Sequence, residues 1–182
     1  MHIPVLLNET MELLNLREGL TYVDVTVGAG GHFMEMRKVL GPQSRLIGID
    51  RDLNSLEMLR EKLGQEETLI HSNYSCLKAV LDELDICTVN GGILADLGVS
   101  SMQLDNSERG FSFQAPAPLD MRMDTTQTLT AEQLINSLDE TELSDIIFRY
   151  GEERRSRQIA HAIVRSRPIS STVELADIVA RT

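Results

Sequence analysis

The sequence predicts an α/β protein whose mostly parallel, wound sheet gives way to an all-helical segment. Three observations carry this. Over the first hundred residues, short β-branched runs alternate with stretches whose leucines recur at helical spacing, the signature of βαβ units. The glycine-rich turn Gly28-Ala-Gly-Gly31 separates the first such run from the first helical stretch. Beyond Leu97 the strand pattern stops, and only helical periodicity returns.

Taken in order, Tyr22–Val27 reads as a strand entering the glycine turn, and His32–Leu40 as the helix leaving it. Arg45–Asp50 is a second strand, followed by a helix marked by Leu56, Leu59 and Leu63. Thr68–His71 is a short strand, Leu77, Val80, Leu81 and Leu84 stripe another helix, and Gly92–Leu97 is a fourth strand. Residues 98–128 are polar, contain Pro116 and Pro118, and exceed the usual length of a structureless connection, which predicts a functional loop. After it, Thr130-x-x-Gln133 and Ser171-x-x-Glu174 fit capping boxes, and Leu143, Ile146, Ile147 and Tyr150 share a helical face. Pro168 stops the helix that carries Ile159 and Ile163. Four strands are fewer than the roughly five or more of a doubly wound sheet. Either the sheet is small or the chain is a fragment. The expected division is residues 1–108 and 109–182.

With 182 residues, 42% of them hydrophobic, the chain has ordinary globular chemistry, which sets aside disorder and fibre. No apolar run approaches the ~20 residues of a membrane span, and MHIPVLLNET lacks a basic leader. Cys76 and Cys87 sit in no metal-ligand or disulfide spacing, so no metal is expected, and a reducing, cytoplasmic setting fits. The net charge of −11 argues against a phosphate-rich partner until it is resolved by position. Residues 1–148 carry −14, residues 149–167 carry +4 and residues 168–182 carry −1. The basic island consists of Arg149, Arg154, Arg155, Arg157, Arg165 and Arg167, either a solvated helix face or a phosphate contact.

The glycine turn is placed as a ligand loop, where backbone can approach a bound molecule closely. Asp50 ends the second strand, about 20 residues on, where a carboxylate can accept both hydroxyls of a ribose. The structural alternative is a helix N-cap. A nicotinamide dinucleotide is disfavoured because Phe33 occupies the sixth position of the G-x-G-x-x-G pattern, and no Gly-Lys-Ser/Thr follows for a nucleoside triphosphate. S-adenosylmethionine (SAM) lacks a pyrophosphate and carries a cationic sulfonium, which suits a glycine loop with acids around it, Asp24 included.

These residues then show a resemblance. Asp24-x-Thr26, Gly28-Ala-Gly-Gly-His32, Ile49-Asp-Arg-Asp52, Asp96-Leu-Gly-Val-Ser-Ser101, Gln103-Leu-Asp105, Arg109-Gly-Phe-Ser-Phe113, Pro118-Leu-Asp-Met-Arg-Met-Asp124 and Tyr150-Gly-Glu-Glu153 closely resemble the bacterial ribosomal RNA small subunit methyltransferase H family, as does the opening His2-x-Pro-Val-Leu-Leu7-x-Glu9. The resemblance implies a class I SAM-dependent methyltransferase fold with an inserted helical domain, and a sheet left incomplete here because family members continue past Thr182. It implies N4-methylation of a cytosine in the decoding region of 16S rRNA, with 16S rRNA or the small ribosomal subunit as partner. By position it assigns Gly30, Gly31 and His32 to the SAM loop, Asp50 to the ribose, Tyr74 to the adenine, and Asp96 and Gln103 to further SAM contacts. Ala29, Phe33 and Met102 depart from the family's usual Arg, small polar residue and Pro.

Asp96, at the carboxyl end of the fourth strand, is the candidate catalytic residue, as an acceptor aimed at the amine; the alternative is that it only binds cofactor. Methylation at C5 would need a cysteine nucleophile, and neither Cys76 nor Cys87 lies in a strand-end motif. His71 and His161 are expected as packed or solvated side chains. Phe111 and Phe113 either stack on a splayed base or pin their loop. The competing function is a non-catalytic module or inactive fragment with the SAM fold, and the 182-residue chain is expected to be incomplete as an enzyme.

Overall fold

Alternate residues of two neighbouring strands face opposite sides of one sheet, and each side becomes a core. In the computed structural model, which describes residues 4–64 and 67–182, β1 (Thr21–Asp24) pairs in parallel with β2 (Arg45–Asp50) and β4 (Gly92–Leu94), and β3 (Thr68–His71) pairs with β2. The order is β3-β2-β1-β4. Tyr22 and Leu46 are in register and enter one core; Val23 and Ile47, one step along, enter the other. The first core takes Phe33 and Met36 from α2 (Gly31–Val39) and Leu56 and Leu59 from α3 (Leu53–Leu63). The second is closed by Val80 of α4 (Leu77–Glu83) and by Ile86. His2, in the opening motif, lies outside the described residues.

Ahead of the sheet, α1 (Leu7–Leu14) was not expected, although Leu7, Met11 and Leu14 have helical spacing; Met11 and Leu14 pack on the first core. The second and third strands match their predicted bounds, whereas the first and fourth are shorter. β1 ends at Asp24 because the chain turns into the glycine segment, with Val25 and Val27 still donating to Leu94 O (2.9 Å) and Ile49 O (3.0 Å). β4 then has no ladder partner past Leu94, so its expected extension to Leu97 is exposed loop.

The structure comprises two compact units, 1–98 and 99–182. The second holds α5 (Ser101–Asp105), α6 (Ala131–Ser137), α7 (Glu140–Gly151), α8 (Ser156–Arg165) and α9 (Thr172–Ala180). Leu143, Ile159, Ala160 and Ile163 form its core with Leu119 and Ile169. On α7 only Leu143 of the predicted face is buried and Ile147 half-buried; Ile146 and Tyr150 are exposed. The box at Thr130 and Gln133 closes both ways. Ser171 accepts from Glu174 N–H, but the Glu174 carboxylate takes Ser170 N–H instead, so that box is half made.

The long polar segment is built, not slack. Arg109 donates to Arg122 O (2.9 Å) and Met123 O (3.0 Å), and Arg122 forks onto Asp120 (2.9 and 2.6 Å) while reaching Gln127 O. That guanidinium holds the Asp120 carboxyl below its ordinary range. Since α5 runs directly into this network through Asn106 and Arg109, residues 99–108 group with the helical half, and the division falls at 98/99.

Candidate functional site

Three parallel strands lying side by side deliver acids to one end of the sheet: Asp24 ends β1, Asp50 ends β2, and Asp96 lies two residues past β4. Their environments differ. Asp24 is 2% exposed. Burial pushes its carboxyl up to about 7, and the charges of Asp50 and Asp96 add to this, while the N–H and hydroxyl of Thr26 pull the other way. Asp50 is half-buried and also raised, by burial first and then by Asp52, against the backbone N–H groups it accepts. Asp96 is exposed.

Asp50 is a loop anchor as well as a strand end. Oδ2 accepts Gly28 N–H (2.7 Å) and Oδ1 accepts Asp52 N–H (2.8 Å). Each oxygen has further acceptor capacity, which suits a pair of vicinal hydroxyls. It does not cap α3, because Asp52 does that, accepting Asn54 N–H at 3.2 Å. Thr26, to which the sequence reading gave no role of its own, ties Asp24 to Asp96: its hydroxyl oxygen accepts Asp96 N–H (2.7 Å) and lies 3.5 Å from Asp24 Oδ1. Its signal was the Asp-x-Thr spacing at a strand end, which sends both side chains to one face.

The three glycines of the loop have different surroundings. At Gly30 (φ +84°) a Cβ would fall 2.3 Å from Leu59 Cδ1, and at Gly31 it would fall 2.4 Å from Pro4 Cγ. Both are required by packing of the protein on itself. Gly28 (φ +50°) is the open one, with nothing nearer than 3.8 Å to an added Cβ. Phe33 is fully buried, and Gly48 on β2 makes room for its ring: a Cβ there would lie 3.0 Å from Phe33 Cε2. The close helix–strand contact that a dinucleotide fold obtains from a glycine on the helix is obtained here from one on the strand.

The other expected residues are placed as follows. The His32 ring is buried with Nε2 3.0 Å from Val5 O, so it pins the segment before α1. Tyr74 is half-exposed in the short turn after β3. Gln103 is buried in the second unit, where its side chain accepts Ser100 N–H and its own N–H donates to Ser100 Oγ, closing the start of α5. His71 Nε2 lies 3.0 Å from Arg51 O, and His161 pairs with Glu140 at the surface. Phe113 is largely exposed and Phe111 half-buried. In the basic island, Arg149, Arg154, Arg155, Arg157 and Arg165 are exposed. Arg167 is half-buried and donates from Nε to Ile135 O (2.7 Å) and from Nη2 to Leu138 O (2.6 Å), capping the end of α6.

The parallel β3-β2-β1-β4 sheet with helices on its faces is an α/β fold of the class I SAM-dependent methyltransferase type, with an open glycine after β1 and a half-exposed carboxylate at the end of β2. The residues present fit that cofactor: acids for the sulfonium, Asp50 for the ribose, and Gly28 for close approach. The chain belongs to the MraW methylase family, whose model matches residues 1–182. It is similar to proteins named ribosomal RNA small subunit methyltransferase H: that of Koribacter versatilis (47% identity, 98% of this chain, 59% of the relative), of Acidobacterium capsulatum (46%, 98% and 62%) and of Symbiobacterium thermophilum (47%, 98% and 58%). The chain thus spans about three-fifths of the length of these curated relatives. Among the described residues no helix is long and apolar enough to cross a membrane.

Proposed function

We propose that the chain carries the SAM site and part of the RNA-contacting surface of a ribosomal RNA methyltransferase, acting on the exocyclic N4 of a cytosine in the decoding region of 16S rRNA. The observation that carries this is the acid-lined end of the sheet, with Asp50 holding Gly28 and Thr26 joining Asp24 to Asp96. SAM, when bound, supplies an electrophilic methyl group on a sulfonium that departs as a neutral thioether. The protein's contribution is placement and charge. Asp50 accepts the ribose hydroxyls while its hold on Gly28 fixes the loop. Asp24, ionised, sets a negative potential for the cationic donor. Asp96, exposed beside them, accepts an N–H of the target amine. That favours a more pyramidal nitrogen whose lone pair is less conjugated with the ring.

The basic surface supplies phosphate contacts through Arg149, Arg154, Arg155, Arg157 and Arg165. Calorimetry with SAM tests the cofactor assignment: Asp50→Ala should abolish measurable binding, and undiminished binding would refute it. Incubation of tritiated SAM with unmodified small-subunit particles separates an enzyme from a SAM-fold module. Label in 16S rRNA supports the first. Binding without transfer by both this chain and a version extended to the relatives' length supports the second.

A further inference from the structure

The last turn of α7 leaves two aromatic rings bare. Phe148 is 57% exposed and Tyr150 85%, with Arg149 between them and Arg154, Arg155 and Arg157 close behind, all four arginines exposed. Their placement follows from the α7–α8 contacts. Glu140 pairs with His161, and Ser144 Oγ meets Ser156 Oγ at 3.2 Å, so the row Glu140, Ser144 runs along one side of the helix pair. Phe148 is the next residue of that row, four further on, and its ring emerges where the chain turns into α8 amid the arginines. Tyr150, two residues later, is rotated by about 200° around the axis and stands on the opposite flank. Of the two acids in the turn, Glu153 is directed to the backbone, accepting Arg155 N–H at 2.7 Å, and Glu152 is exposed.

Exposed aromatics on a helix most often await an apolar protein surface. Here the two rings stand on opposite flanks with positive charge between them, an arrangement one flat apolar partner cannot cover. Unpaired bases can, one on each ring, with phosphates beside the arginines. Paired bases offer no such faces. We propose that the α7–α8 turn is a platform for unpaired RNA, on which Phe148 and Tyr150 each stack a base while Arg149, Arg154, Arg155 and Arg157 hold the backbone. This rests on the RNA-directed function above and specifies the form of RNA that the second unit takes.

The test is fluorescence anisotropy of the 182-residue chain with a labelled unstructured RNA and with a duplex hairpin of equal phosphate number, each at two salt concentrations. Phe148→Leu and Tyr150→Leu should each weaken single-strand binding by about 5-fold or more, leaving duplex binding and the salt slope unchanged. Arg154→Gln combined with Arg157→Gln should weaken both ligands and flatten the slope. Because the chain has no Trp, Tyr150→Trp introduces a lone reporter whose emission unpaired RNA should quench. Circular dichroism verifies that each variant is folded. Single-strand affinity unchanged in both Leu variants, equal loss on the duplex, or an unquenched Trp overturns the platform while leaving RNA binding intact. Failure of the parent chain to bind either RNA overturns the RNA-directed function itself, and the platform with it.

Discussion

Replacing Asp24 with Asn removes one titrating group and little else. Asn retains an Oδ1 able to accept Thr26 N–H, which Asp24 accepts at 3.1 Å, and has nearly the same shape. In the native chain this carboxyl is pushed from 3.8 to about 7, by burial first and then by its acidic neighbours. The folded state therefore holds the proton more tightly than the unfolded chain does. Stability falls as pH rises above 3.8 and stops falling once the pH passes about 7. A displacement of about three pH units at ~1.4 kcal/mol each amounts to up to about 4 kcal/mol. About 2 kcal/mol of that lies between pH 5 and pH 7. Asn does not titrate, so the stability of Asp24→Asn relative to the parent should grow by that amount over this interval and level off above it. Urea unfolding at pH 5, 6, 7 and 8 measures the difference directly. Parallel pH profiles for the two proteins would refute the reasoning. The same charge has the opposite effect on a cationic ligand: SAM affinity of the parent should rise through pH 7, and that of the variant should be lower and flat.

Two further perturbations separate packing from function. Gly30→Ala places a methyl group against buried Leu59 at positive φ and should cost about 2 kcal/mol or more, whereas Gly28→Ala, strained but open, should cost ~1 kcal/mol and act mainly on SAM affinity; urea unfolding and calorimetry read the two effects, and equal stability losses would contradict the assignment. Arg167→Met leaves Ile135 O and Leu138 O without their donor and should destabilise by about 2 kcal/mol with RNA affinity unchanged, which thermal unfolding and anisotropy would verify together.

Local pattern was legible where neighbours in sequence and neighbours in space impose the same demand. The second and third strands, Arg45–Asp50 and Thr68–His71, are legible residue for residue because their apolar runs are bounded by turn residues. The first and fourth strands read too long from sequence, since a ladder ends where its partner ends, and Val25 and Leu97 carry no mark of that. α1 was missed because it is short and lies largely at the surface, so its apolar stripe is thin.

The sequence by itself determined the wound sheet, the succession of an α/β half by helices, the acid at the end of the second strand, and the separation of an acidic cofactor half from an arginine island. These are encoded by period, spacing and charge along the chain. Only the tertiary structure decided which member of each motif is available. Gly28 is open while Gly30 and Gly31 pack against Leu59 and Pro4. Asp50 binds Gly28 across 22 residues, and Thr26 reaches Asp96 across 70. Arg167 donates to Ile135 across 32, and Tyr150 is bare although its spacing put it on one helical face with Leu143. The physical reason is common to all of them. A side chain's role depends on burial and on donors brought from distant elements, and neither exists until the sheet and the helix pairs have closed around it.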